Sequence, residues 1–192
     1  IAIIGVITAM TVAGLGAAKG KKQEAATLAM KAKIELAIEG YKQAFGTYPP
    51  DNPLYAAGNP NWNPLAYELG GARRAGANFT SVVDPNHTVT LAMLGGCFSL
   101  QGLVNDGVNG PKSFLNLKGG GSPSADYLLL TNGTPGLPAV MLLQVPGDHP
   151  TSTVNIWRYR AYPATGHNPK SYDLWAEIKR RDGSTNLIAN WK

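Results

Sequence analysis

The chain has 192 residues, 44% of them hydrophobic and 15% charged, enough for one domain of ordinary size with an appendage and incompatible with disorder throughout. The net charge of +5 makes no strong basic face: residues 19–42 hold six lysines against three glutamates, and the remainder holds eleven basic residues against nine acids. A lone cysteine, Cys97, excludes an intrachain disulfide, and most of the 23 glycines and all 14 prolines lie beyond Tyr48, so helix is expected in front and short strands with long loops behind.

Residues 1–18 are uncharged and apolar or small throughout. As a helix they measure about 27 Å at 1.5 Å per residue, a little short of the ~30 Å hydrocarbon core, and read as a near-complete membrane span. Isoleucine is not a translation start, so further apolar residues are expected upstream. A signal peptide ending at the small residues 14–18 is the competing reading, but the helical pattern continues past them. Ala26, Met30, Ile34, Ala37, Ile38, Tyr41 and Phe45 form one stripe at 3.6-residue spacing, largely opposite Lys31, Lys33, Glu35, Glu39 and Lys42.

A rod over residues 1–45 would be about 68 Å long, more than a body of this size covers. Its apolar half is expected to protrude and to need a bilayer or copies of itself. The candidate packing residues there are Ile1, Ile3, Ile4, Gly5, Val6, Ile7, Met10, Val12 and Leu15. Met30, Ile34, Ile38, Tyr41 and Phe45 are expected to seat a sheet. Gly14, Gly16 and Gly20 each cost up to ~1 kcal/mol relative to Ala within a helix, so unwinding is expected there on assembly.

Gly46 followed by Tyr48-Pro49-Pro50 ends the rod. Residues 50–76 read as an Asn/Pro-rich loop with a helical turn at 64–70, and 88–105 fit either helix or strand. The Gly-rich run at 118–123 lacks the Gly-Lys-Ser/Thr of a phosphate loop and reads as a linker. Strands are expected at 126–131, 139–145, 153–162, 171–180 and 186–191, with Asp182-Gly183 in the last hairpin. Tyr172, Leu174, Ala176 and Ile178 alternate with Asp173, Trp175, Glu177 and Lys179, offering one face to the rod. The fold class is therefore α+β. Its parts are the helix 1–47, divided into 1–18 and 19–47, and a head 48–192, divided into a loop region 48–125 and a mainly β region 126–192.

No catalytic constellation stands out, and an enzyme is not expected. His87, His149 and His167 sit in separate loops without a zinc motif, no Gly-x-Ser-x-Gly elbow is present, and Cys97 lies in an apolar setting that favours an inert thiol. Asn78, Asn86 and Asn132 head Asn-x-Thr triplets and are candidate glycosylation sites. Arg73-Arg74 and Lys179-Arg180-Arg181 read as solvated edges. The aromatic-interleaved Trp157-Arg158-Tyr159-Arg160 is the one lead to a DNA or glycan ligand.

Three stretches resemble the type IV pilin superfamily, especially the pseudopilins of type II secretion. Ile1-Ala2-Ile3-Ile4-Gly5-Val6-Ile7 is similar to the interior of the pilin N-terminal helix, Tyr41 onward to Pro49 to the end of that helix in major pseudopilins, and residues 167–177 with 188–191 to the closing strands of pseudopilin-like proteins. The family's peptidase cleavage site and glutamate would precede Ile1, and N-methylation is implied by resemblance alone. The resemblance implies a pilin-like fold, with a long protruding helix packed on a C-terminal antiparallel sheet. It implies a structural subunit of a helical filament, pseudopilus-like and homo-oligomeric, held in the bacterial inner membrane before secretion or pilus machinery assembles it into a periplasmic or extracellular filament. A nucleic-acid partner is not expected. Many type IV pilins carry a C-terminal disulfide loop, which one cysteine cannot form, and this tilts the resemblance toward pseudopilins. Major pseudopilins often bind calcium just before the final Asn-Trp. Here that loop is short and Leu187 stands where the family has Asp, so Asp173, Asp182 and Asn186 are weak candidates against the six to eight oxygens calcium takes; no other cofactor is expected. The alternative is a monomeric, membrane-anchored surface protein that binds DNA or glycan.

Overall fold

The structure, a computed structural model, describes residues 2–52, 62–107, 110–118, 125–131, 139–163 and 165–191, with the helical backbone alone given for 2–18. One helix, α1 (Ala2–Phe45), precedes a head built from α2 (Leu65–Gly70), β1 (Ala72–Ala75), β2 (Asn78–Ser81), β3 (Thr88–Thr90), α3 (Leu91–Phe98), β4 (Tyr127–Leu130), β5 (Val140–Leu143), β6 (Arg158–Ala161), β7 (Tyr172–Lys179) and β8 (Thr185–Ala189). Among the described residues the strands form three antiparallel sheets, ordered β1-β2-β3, β4-β5 and β6-β7-β8. The protein is therefore α+β, a long N-terminal helix with antiparallel sheets.

At 1.5 Å per residue α1 is about 66 Å long. It ends where Gly46, at φ +80°, donates its N–H to the Lys42 carbonyl at 2.7 Å, a left-handed turn that glycine adopts without strain. Met30, Ile34, Ala37, Ile38 and Tyr41 are buried, while Phe45 is half-buried against Tyr41 and Phe114, with ring centroids 4.6 and 5.9 Å away. Ala26, which shares their helical spacing, is exposed because the stripe meets the head only from Thr27 onward. β7 is the central strand of its sheet; its Tyr172, Leu174, Ala176 and Ile178 are buried, and it contacts α1. Between helix and strand, Gly147 comes so close that a Cβ on it would stand 2.6 Å from Ile178 Cγ2 and 3.5 Å from Thr27 Oγ1.

α2 is buried along its whole length and ties α1 to the head. The Glu68 carboxylate accepts from Tyr41 Oη at 3.0 Å and from the Val104 and Asn105 amides at 2.9 Å. Asn105 extends the network, donating from Nδ2 to the Glu68 and Lys112 carbonyls. One apolar cluster runs from α1 through α2, α3 and the sheets.

Two expectations need correction. Residues 48–125 are more than a loop region: besides α2, which falls at the helical turn expected over 64–70, they carry β1–β3 and α3. The first hairpin is four-residue strands turning at Gly76 (φ +62°), in which Ala72, Phe79 and Ser81 point inward, too few apolar positions to register as alternation. Residues 88–105 are both strand and helix, because Thr90 ends β3 and caps α3, its hydroxyl accepting from Met93 N at 3.2 Å. The strand expected over 153–162 is only Arg158–Ala161. Upstream, the chain pairs with the end of β5 instead, Ile156 bridging Gln144 while Val145 N donates to the Asn155 carbonyl and Trp157 N to the Leu143 carbonyl, both at 2.9 Å. The buried Asn155 side chain donates to the Gly147 and Glu177 carbonyls.

Candidate assembly surface

The face of α1 turned away from the head carries Leu28, 51% exposed, and Leu36, 76% exposed, with Ala25, Ala29 and Ala32 open on the same side. Eight residues separate the two leucines, slightly over two turns, so they lie on one stripe with Ala32 between them. Lys31 and Glu35, paired at 3.0 Å, flank it. Covering a leucine side chain is worth about 1.5–3 kcal/mol, which makes this stripe the most strongly water-averse part of the described helix surface.

Toward its N-terminus α1 parts from the head gradually. Lys19 Nζ reaches Asp148 Oδ2 at 3.5 Å with both groups mostly exposed, and Asn186 Nδ2 donates to Glu24 Oε1 at 2.9 Å. Asp148 is held below the ordinary carboxylate range, first by a hydrogen bond from Gln23 and further by the Lys19 charge. Behind these tethers a groove of about 560 Å³ lies between α1 and the residues that precede β4 and follow β5, with Lys22, Ala26, Met30 and Lys33 on one side and Asp126 and Gln144 on the other.

The expected packing residues Ile1, Ile3, Ile4, Gly5, Val6, Ile7, Met10, Val12 and Leu15, like Gly14 and Gly16, have side-chain positions outside the described residues, although the α1 backbone runs through residues 2–18. No helix among the described residues is long and apolar enough to cross a membrane, and the side chains of the span expected at 1–18 are not among them. Helix also continues through Gly20, where an added Cβ would meet nothing within 4 Å.

The calcium candidates are not brought together. Asp173 is buried and accepts from the His167 and Asn168 amides at 2.8 and 2.9 Å; Asp182 accepts from Ser184; Asn186 bonds Glu24 and Arg180. Asn186 pairs with Ile178, five residues along β7 from Asp173 and so about 17 Å distant. Asn78 and Asn86 are exposed, on β2 and in the turn after it, while Asn132 lies outside the described residues. Within the aromatic-basic cluster Trp157 is fully buried and Arg158 is paired with Glu177 at 2.9 Å, leaving Arg160 at the surface groove described below. Cys97 is buried, which pushes its thiol up, away from the reactive thiolate.

Leu28 and Leu36 escaped the sequence reading because the opposite face was assigned to charge; their signal was two leucines at i, i+8 among alanines. Compared with known proteins, the chain matches no family model, no curated protein and no solved structure. What the geometry defines is a class: an α+β protein whose long N-terminal helix is gripped by its head along the C-terminal half.

Proposed function

We propose that this chain is the repeating subunit of a helical, pilin-like filament of the pseudopilus kind, with the α1 helices bundled at the core and the heads outside. One observation carries the reading: α1 buries one stripe in its own head while leaving Leu28 and Leu36 open on the other side. A helix with two apolar faces, one already used, is built for a second helix. The sequence sets the uncharged residues 1–18 ahead of that stripe, and before assembly they sit in the inner membrane. Adding a subunit exchanges lipid contacts for helix-to-helix contacts, and small residues along the segment permit close approach. The chain supplies no chemistry to a substrate; its activity is assembly.

The test is electron cryo-microscopy of material sheared from cells producing the chain. Filaments with α1 in their core are expected. Particles that stay monomeric, in membrane or detergent, overturn the reading in favour of an anchored single-copy protein.

A further inference from the structure

The outer face of the β6-β7-β8 sheet, opposite the side packed on α1, carries a second feature. Register sets Arg160 beside Asp173, Trp175 beside Ala189 and Glu177 beside Leu187. Arg160, Asp173, Trp175, Glu177 and Leu187, with His167 and with Trp191 just beyond β8, line a groove of about 290 Å³. His167 stacks on Trp191 with ring centroids 4.1 Å apart and planes 7° from parallel, and Trp175 meets Trp191 edge-on at 5.5 Å.

This wall is held from behind. Asp173, 2% exposed, fixes the His167 loop through the two amide bonds already described, and Asn190 Oδ1 accepts from Leu174 N at 2.9 Å, anchoring the segment that ends in Trp191. Glu177 is positioned by Arg158 at 2.9 Å, with His149 Nε2 at 3.6 Å. Leu187, half exposed, forms the rim.

The lining combines flat indole surface with a carboxylate and a guanidinium. Single-stranded nucleic-acid sites also stack bases on aromatics, but in positively charged channels; here Glu177 and Asp173 offset Arg160. The volume lies at the small end of the ~300–1,000 Å³ of small-molecule sites, room for one or two rings. A ligand suited to it has an apolar C–H face to lie on indole and a hydroxyl edge for a carboxylate and a guanidinium, with no net charge.

We infer that this groove binds a neutral sugar ring of a glycan, with Trp191 and Trp175 as the stacking wall and Glu177 and Arg160 as partners for its hydroxyls. The inference does not rest on the filament reading. It is compatible with it, because the groove faces away from α1.

The experiment uses the full chain in detergent micelles, titrated with glucose, galactose, mannose, N-acetylglucosamine and N-acetylgalactosamine while tryptophan fluorescence and saturation-transfer NMR are recorded. At least one sugar is expected to bind saturably with Kd of about 1 mM or below, and Trp191→Ala to weaken it at least about tenfold. Leu187→Arg, at a half-exposed rim position, is expected to block binding while leaving circular dichroism unchanged, and it decides the matter if Trp191→Ala does not fold. Saturation by none of the sugars overturns the inference, as does binding that survives Leu187→Arg. An oligothymidylate filling the groove in place of sugar, or self-association abolished by Leu187→Arg without sugar binding, overturns it too.

Discussion

Glu68 shows how one side chain can hold an element in place. Buried in α2, its carboxylate serves two backbone amides and the Tyr41 hydroxyl. Burial pushes the carboxyl up against the pull of those bonds, and the Tyr41 phenol is likewise raised by burial and by the adjacent carboxylate. Glu68→Gln leaves one oxygen to accept where two did, stranding a buried donor, and is expected to destabilise the head by about 1–3 kcal/mol in urea unfolding. Tyr41→Phe is expected to act on the same network, so the two losses should not add. His87 offers a pH test. Met141 N–H donates to Tyr67 Oη at 2.8 Å, which directs the phenol proton to His87 Nε2, 2.7 Å away, and favours the neutral ring. Burial lowers the His87 pKa below its ordinary value, so the unfolded chain takes up the proton first and stability falls as pH drops below about 6.5. His149 is lowered by burial and by Arg158 and acts in the same sense, whereas Glu68 acts oppositely. The decisive quantity is therefore the difference between chains: His87→Gln, which still accepts from Tyr67, should lose less thermal stability between pH 7.5 and pH 5.5 than the parent, as scanning calorimetry would reveal.

At the scale of elements, α1 was legible because a 3.6-residue stripe sustained over five turns has no other reading, and β7 because four apolar residues alternate along it. β1 and β2 were not, since strands of four residues, one with Arg73 and Arg74 facing water and the other with a single apolar residue, Phe79, carry almost no pattern. The outward groove was illegible for another reason: register and loop closure bring together His167, Trp175 and Trp191, which no spacing rule joins. Two glycines make opposite predictions. Gly20→Ala meets open space and should add up to ~1 kcal/mol of helix propensity, seen as greater helicity by circular dichroism. Gly147→Ala pushes a methyl into Ile178, at the seam between α1 and β7, and should destabilise by about 1–3 kcal/mol.

For the whole molecule, the grip of the head on α1 and the open stripe behind it can be separated by substitution. Leu36 is mostly solvent-exposed in the single chain, so Leu36→Lys should alter the thermal midpoint of the head little while lowering the yield of filaments in sheared preparations. A mutant that assembles as well as the parent would show that this face is not used. The tethers at Lys19 and Glu24 have a further consequence. The Lys19–Asp148 pair is mostly exposed and worth about 1 kcal/mol or less, and the Asn186–Glu24 bond is half-buried, whereas the bond from Tyr41 to Glu68 is fully buried, with Ile34 and Ile38 on the same helix face. A pull along α1 therefore meets a compliant joint before a stiff one: the segment around residues 19–26 peels from the head at low force, and the load then falls in shear on the Tyr41 anchor.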